Sequence, residues 1–130
     1  NRQSDLVIKR QKAWLIRKKI NLDLLKKGSK ILEGTHDFST FRASSCSSKS
    51  PLKKINKVLV RRRGEDISII FKSQSFLQNQ VRSMVGSLIY LSLGIWDIKK
   101  FKKNFDSKKR ELCAPPAPAW GLYLTKIKYN

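Results

Sequence analysis

The segment FLQNQVRSMVGSLIYLSL, residues 76–93, carries the clearest helical pattern in the sequence. Its apolar residues recur every three or four positions and therefore form one stripe on a helix surface. The members of this stripe are Leu77, Val81, Met84, Val85, Leu88 and Leu91. The spacing predicts a helix over residues 76–93, ended by Gly94. Two residues of the segment, Arg82 and Gly86, stand apart from the stripe.

Helical spacing also appears in two other segments. Apolar residues between Leu22 and Leu32, preceded by Asn21 as a cap and followed by Gly34 as a left-handed stop, predict a helix over residues 22–33. The segment DIKKFKKNFDSKKR, residues 97–110, predicts a short basic helix. The buried edge of that helix is predicted to consist of Ile98, Phe101 and Phe105.

Two neighbouring runs predict an antiparallel hairpin. The runs LKKINKVLVRRR (52–63) and DISIIFKSQ (66–74) are rich in Ile and Val, and Gly64 and Glu65 separate them. The end of the chain adds a proline-containing loop, CAPPAPAWG (113–121), and a closing strand, GLYLTKIKY (121–129).

The elements together predict an α+β fold, an antiparallel sheet with helices packed on one face. Residues 21–130 are assigned to this domain. Residues 1–20 are interpreted as a basic N-terminal segment with one short strand near Trp14, Leu15 and Ile16. Because the sequence begins at Asn1 and its only methionine is Met84, we expect it to be part of a longer protein.

The charge of the chain favours a polyanionic partner. Its 130 residues, enough for one domain, contain 29 Lys and Arg against 9 Asp and Glu, a formal charge of +20. Such an imbalance costs self-repulsion unless a polyanion relieves it, and nucleic acid is the leading candidate. A solvated, lysine-rich surface is the alternative, since Lys outnumbers Arg by 20 to 9.

The basic residues fall into two main clusters, and we expect them to track RNA phosphates, although either cluster could be a solvated face. The predicted RNA contacts are Arg42, Lys53, Lys54, Arg61, Arg62, Arg63, Lys99, Lys100, Lys103, Lys108, Lys109 and Arg110.

Several other classes of protein are disfavoured. Cys46 and Cys113 are far apart without a CxxC pair, which indicates neither a disulfide framework nor a zinc site and suggests a reducing cytoplasm. The apolar stretch 84–96 is shorter than the roughly 18 residues of a membrane span. Neither a G-x-S-x-G elbow nor a phosphate-binding loop of the G-x-x-x-x-G-K-[ST] type occurs.

Two residues of the segment GTHDFSTFR (34–42) are weak candidates for chemistry. His36 is the sole histidine and has no second His or Cys nearby, so we expect a structural role. Asp37 has two open interpretations, a cap for the amides of Ser39 and Thr40 or a chemical role. No carboxylate pair at helical spacing indicates acid–base catalysis.

Arg82 and Gly86 form the most informative pair. A glycine in the middle of a helix costs about 1 kcal/mol relative to alanine, and close approach of another backbone or a ligand is the usual compensation. Arg82, one turn away, would face that approaching element and offers a rigid fork of donors to a carboxylate or a phosphate. The alternative is a surface arginine beside a glycine that serves helix packing.

Three ordered segments carry a family resemblance: ILEGTHDFSTFRASSCSSKSP (31–51), FLQNQVRSMVGSL (76–88) and APPAPAWGLYL (114–124). Together they resemble the C-terminal half of a TruA-type tRNA pseudouridine synthase, over about residues 14–129. The resemblance implies isomerisation of uridine to pseudouridine in the tRNA anticodon stem-loop, at tRNA positions 38–40. It also implies a cytoplasmic homodimer that needs no cofactor and no metal.

The resemblance assigns roles to particular residues. The family's catalytic aspartate lies in a G-R-T-D-x-G-V-H motif of the N-terminal half, which these residues lack. By resemblance, Arg82 is the basic partner of that aspartate, Gly86 lets the two halves come close, and Leu122 lines the uracil pocket. Cys113 and Trp120 depart from the residues common in the family at their positions. This chain alone is expected to be inactive, and a stand-alone basic RNA-binding module without catalysis is the competing hypothesis.

Overall fold

The computed structural model describes residues 2–9, 19–42, 50–64, 66–77, 79–118 and 122–128. Three helices are present in this part of the chain, α1 (Leu22–Leu32), α2 (Gln80–Ser92) and α3 (Ile98–Ser107). The strands are β1 (Arg2–Lys9), β2 (Gly34–Asp37), β3 (Leu52–Ile55), β4 (Lys57–Arg63), β5 (Asp66–Ser73) and β6 (Leu122–Lys128). Short 3-10 turns cover Ser39–Phe41 and Arg110–Leu112.

The strands form two antiparallel sheets. The larger sheet has the order β4-β5-β1-β6, and the smaller one pairs β2 with β3. The predicted hairpin is confirmed, because β4 pairs with β5 and places Leu59 opposite Ile70. The predicted closing strand is confirmed as β6, which pairs with β1.

The first run of the predicted hairpin is not one strand, and this part of the prediction was wrong. The run breaks at Asn56, whose amide donates to the carbonyl of Lys72 at 2.7 Å. Residues before the break turn away to pair with β2, with Lys53 opposite His36. Residues after the break continue in the larger sheet. The competing partner strand β2, which the sequence pattern did not show, explains the split.

The core lies between the helices and one face of the larger sheet. Along β5 the side chains alternate, so that Ile67, Ile69 and Phe71 are buried while their neighbours are half-buried. These three side chains belong to the same apolar cluster as Leu25 of α1 and Met84 of α2. The predicted α+β class is confirmed, and burying this cluster supplies the main driving force for folding.

The ends of the helices follow their capping residues. The side chain of Asn21 accepts a hydrogen bond from the amide of Leu24 at 3.1 Å, and Gly34 takes a positive φ of 100° just beyond the end of α1. In α3 the carboxylate of Asp97 accepts from the amide of Lys100 at 2.8 Å. The predicted buried edge of α3 is confirmed for Phe101 and Phe105, whereas Ile98 is half-buried.

Helix α2 starts four residues later than its apolar pattern predicts. Asn79 adopts a left-handed conformation with φ of 61°, and the Gln80 side chain accepts a hydrogen bond from the amide of Leu77 at 2.7 Å. These features hold Phe76 and Leu77 outside the helix, although Leu77 remains buried. An apolar residue can therefore continue the stripe without being helical.

A strand covers residues 2–9 of the N-terminal segment. Strand β1 pairs with both β5 and β6, and Leu6 is opposite Phe71 on one side and Leu124 on the other. The strand predicted near Trp14 falls outside the described residues. The domain boundary at residue 20 stays a prediction, but residues 2–9 belong to the same sheet as β5 and β6.

An aromatic cluster joins β2 to α3. The ring of Phe38 lies 5.5 Å from that of Phe105, 6.5 Å from Phe41 and 5.7 Å from His36, between ring centroids. The hydroxyl of Thr40 donates to backbone carbonyls at the end of α3, at 3.0 and 3.1 Å. These contacts fix the turn Ser39–Phe41 against α3. Across the described segments, none of the helices has the length and hydropathy that a transmembrane span requires.

Candidate functional site

Arg82 lies in the first turn of α2, half-buried beside the segment Cys113–Pro118, which we call the proline segment. Its Nε–H donates to the carbonyl of Ala117 at 2.7 Å, and the amide of Ala117 donates back to the carbonyl of Arg82 at 2.9 Å. This reciprocal pair fixes the base of the guanidinium. The four N–H donors on its two terminal nitrogens are not used by these bonds.

No carboxylate of the described residues lies within 4.0 Å of the Arg82 guanidinium. A half-buried guanidinium normally pairs with an anion, because desolvating a charge is costly without a partner. The position of Arg82 therefore suits an anion supplied from outside the described residues. The alternative of a plain surface arginine fits poorly with its anchoring to Ala117.

Gly86 lies one turn after Arg82 and is buried against the proline segment. A β-carbon at this position would lie 2.9 Å from the carbonyl carbon of Pro115, 3.2 Å from the α-carbon of Pro116, and would overlap the carbonyl oxygen of Pro115. The predicted close approach is thus real, but the approaching backbone belongs to this chain. The expectation that Gly86 admits the other half of the protein was wrong.

Two serines of α2 also hold the proline segment. The hydroxyl of Ser87 lies 3.6 Å from the sulfur of Cys113 and accepts from the amide of Ala114 at 3.4 Å. The Cys113 thiol lies 3.7 Å from the carbonyl of Ser83. Burial raises the pKa of this thiol, against the opposing effects of Ser87, Ser83 and Arg110, so Cys113 remains protonated at neutral pH.

Leu122, the predicted wall of the uracil pocket, is the first residue of β6. Its α-carbon is opposite Ile8 of β1, five positions beyond Ala117 along the chain. The side chain of Leu122 is outside what the structure describes, and so is the whole of Trp120. The role of Leu122 in a pocket stays a prediction.

Part of the predicted basic surface gathers around Asp37. The cap interpretation of Asp37 is confirmed for Ser39, whose amide donates to the carboxylate at 2.9 Å. Burial raises the pKa of Asp37, but hydrogen bonds from Ser39 and the charges of Lys108 and Arg42 outweigh this effect and leave the pKa below its ordinary value. Arg42 and Lys108, far apart in sequence, therefore both lie near enough to Asp37 to stabilise its charge.

Lys53 and Lys54 lie beside this basic group. Lys53 pairs with His36 across the β2–β3 sheet, next to Asp37. Both lysines, with Asn56 and Gln74, line a surface cavity of about 380 Å³. We call Arg42, Lys53, Lys54 and Lys108 the β3 basic cluster. The cavity is polar and wide enough to accept a phosphate group.

The remaining predicted RNA contacts are exposed, and Lys109 directly follows Lys108 in the chain. They are Lys99, Lys100 and Lys103 on α3, Lys109 and Arg110 after it, and Arg61, Arg62 and Arg63 at the end of β4. Residue 63 is six steps along β4 from Lys57, about 20 Å at the usual strand rise. Arg63 is therefore at the far end of β4 from Asn56, the cavity residue that precedes this strand.

His36 has the structural role that its isolation predicted. Its Nε2 lies 2.7 Å from the carbonyl of Glu33, and its ring packs edge-on against Phe38 and Phe105. In the described part of the chain, no three side chains of His, Cys, Asp or Glu converge where a metal ion could bind.

Sequence reasoning missed the backbone groups that hold Arg82. It identified the proline-containing loop and the glycine that needs a close neighbour, but it did not connect them. Pro115 is 29 positions from Gly86 in the sequence. The signal that could have connected them was that Gly86 needed an approaching backbone and the proline-containing loop supplied an irregular one.

Comparison with known proteins gives a family match. Residues 29–130 match the family model of tRNA pseudouridine synthase. Over 129 residues the chain is 57% identical to tRNA pseudouridine synthase A of Pelagibacter ubique, 42% to that of Xanthobacter autotrophicus and 39% to that of Maricaulis maris. Each match covers 99% of this chain but only 52% or 53% of the relative, so the chain spans about half the length of these relatives. The chain belongs to the tRNA pseudouridine synthase family.

Proposed function

We propose that this chain is the C-terminal half of a tRNA pseudouridine synthase and completes the active site of an N-terminal half that carries the catalytic aspartate. Its substrate is a uridine in the anticodon stem-loop of tRNA. The observation that carries the proposal is the Arg82 guanidinium, which is anchored through Nε to Ala117 and has no carboxylate partner among the described residues. Family membership and the half-length match support it.

The proposed chemistry gives Arg82 an electrostatic task. The aspartate supports cleavage of the glycosidic bond, the base rotates, and a carbon replaces the nitrogen in the new bond to the ribose. A guanidinium fork beside the aspartate lowers its pKa and fixes its orientation, so that it stays ionised in a closed pocket. The Ala117 carbonyl fixes the fork itself, because it binds Nε and leaves the terminal nitrogens to the aspartate. Leu122 is proposed to line the pocket for uracil.

The activity test follows tritium release from uridine-labelled tRNA. The intact enzyme, meaning this chain together with its N-terminal half, is expected to release tritium, and this chain alone is expected to release none. A binding-only protein would retain tRNA without any release from either form. The alternative is a stand-alone basic RNA-binding module, motivated by the formal charge of +20. That alternative would be favoured if the intact protein binds tRNA but releases no tritium.

The β3 basic cluster is proposed to hold the distorted RNA. A target uridine must leave its stack, which costs a few kcal/mol, so phosphate contacts have to compensate. We expect Lys53→Ala combined with Lys54→Ala to weaken tRNA binding and to lower the slope of log Kd against log salt by about 1.5, since two phosphate contacts are lost. Filter binding at several salt concentrations measures both effects.

Exposed lysines on α1 provide the matched control. Lys26→Ala combined with Lys27→Ala removes the same charge from exposed residues that are not among the predicted RNA contacts. An equal loss of affinity and slope in both double variants would show that the cluster acts only through net charge.

We further propose that the intact enzyme is a homodimer and lies in the cytoplasm. Sedimentation measurements on the intact enzyme would test the homodimer.

A further inference from the structure

We propose that Gly86 is a positioning residue of the proposed reaction, acting through the proline segment on the orientation of Arg82. This inference rests on the proposed function, because it concerns the same guanidinium. The inference goes beyond the proposed function because it attributes the orientation of Arg82 to a steric contact within this chain. That contact lies one helical turn from Arg82 and does not involve the substrate.

The first step is the contact between α2 and the proline segment. Gly86 is buried, and the space of its missing side chain is filled by the backbone of Pro115 and Pro116. Because the obstacle is backbone carbonyl and α-carbon, and not the end of a flexible side chain, it has little freedom to give way. Any side chain at position 86 must push the proline segment off the helix.

The second step links that contact to Arg82. Ala117 follows Pro116 directly and makes both hydrogen bonds of the reciprocal pair, through its carbonyl to Nε and through its amide to the carbonyl of Arg82. A shift of the segment at Pro115 therefore moves the acceptor that fixes the guanidinium. Proline fixes its own φ, so the two consecutive prolines have fewer torsions with which to absorb the shift.

The third step concerns the size of the effect. A β-carbon at position 86 requires the segment to retreat by about 1 Å, and misplacement on that scale, even away from the chemistry, can lower a rate by about 100-fold. The segment also leads to β6, whose first residue is Leu122. One steric change thus displaces the anchor of Arg82.

The experiment compares Gly86→Ala with Gly28→Ala in the intact enzyme. Gly28 is also a buried helix glycine, but a β-carbon there meets the side-chain ends of Leu91 at 2.6 Å and Leu88 at 2.8 Å, which can rotate away. We expect Gly86→Ala to lower kcat by about 100-fold with unchanged affinity for tRNA. We expect Gly28→Ala to lower the melting temperature and to leave kcat of the folded enzyme unchanged.

A double-mutant cycle separates positioning from general destabilisation. If Gly86 acts through Arg82, adding Gly86→Ala to an Arg82→Ala variant lowers kcat by no more than about twofold further. A second full loss in the double variant, or a wild-type kcat for folded Gly86→Ala, overturns the inference. If Arg82→Ala itself keeps full activity, the proposed role of Arg82 in the reaction is wrong. This outcome is distinct from the two results above, which contradict only the positioning role of Gly86.

Discussion

Replacing Arg82 with alanine is expected to lower kcat of the intact enzyme by about 1,000-fold, the upper range for removing one group that stabilises charge in an active site. The guanidinium is fixed before substrate binds, because its Nε is anchored to the carbonyl of Ala117 at 2.7 Å. Such preorganisation costs nothing at the moment of reaction, which makes its loss expensive. Tritium release under single-turnover conditions measures the effect, and tRNA binding should remain close to that of the unmodified enzyme.

Arg82→Lys separates charge from geometry. Lysine keeps the positive charge but has neither the fork nor an Nε–H in the position that reaches Ala117. We expect it to restore only a minor part of the lost activity. Full recovery with lysine would show that a point charge is sufficient and that anchoring by the proline segment is unimportant. Full activity of Arg82→Ala would remove Arg82 from the mechanism.

Replacing Phe38 with alanine is expected to lower the free energy of unfolding by about 3–5 kcal/mol, as is usual for a large aromatic residue in a core. Phe38 has 0% of its surface exposed and contacts the rings of His36, Phe41 and Phe105. Its removal leaves a cavity at the junction of β2, the turn Ser39–Phe41 and α3. Chemical denaturation followed by circular dichroism measures the loss.

Leu52→Ala is the control for this effect. Leu52 is apolar and close to the same junction, in the strand that pairs with β2, but it is 59% exposed. We expect a change within about 0.5 kcal/mol for this variant. A loss below about 1 kcal/mol for Phe38→Ala would contradict the aromatic cluster as a stabilising part of the core.

Most elements with a clear apolar pattern could be predicted from the sequence, whereas the start of α2 and the break at Asn56 depend on contacts that this pattern does not show. The helices α1 and α3 followed from apolar spacing, and α1 also from the cap at Asn21, all of which are local features. The start of α2 was misplaced because the Gln80 side chain binds the amide of Leu77 ahead of the helix. The break at Asn56 depends on β2, a partner more than a dozen residues away.

The candidate site shows the same division. The position of Arg82 beside the apolar stripe and the need for a neighbour at Gly86 were visible in the pattern. The identity of that neighbour was not, because the packing of Pro115 on Gly86 joins residues from separate elements. Likewise, the sequence predicted basic clusters but not that Lys108 and Arg42 both lie near Asp37.

The proposed pairing of Arg82 with an outside carboxylate is tested most directly by the structure of the intact enzyme. The measurement is the distance from the terminal nitrogens of Arg82 to the carboxylate oxygens of the N-terminal half. We expect a charge-assisted pair at about 2.8 Å, with Nε still bound to the carbonyl of Ala117. An Arg82 side chain directed into bulk water, with no carboxylate within hydrogen-bonding distance, would contradict the proposed mechanism.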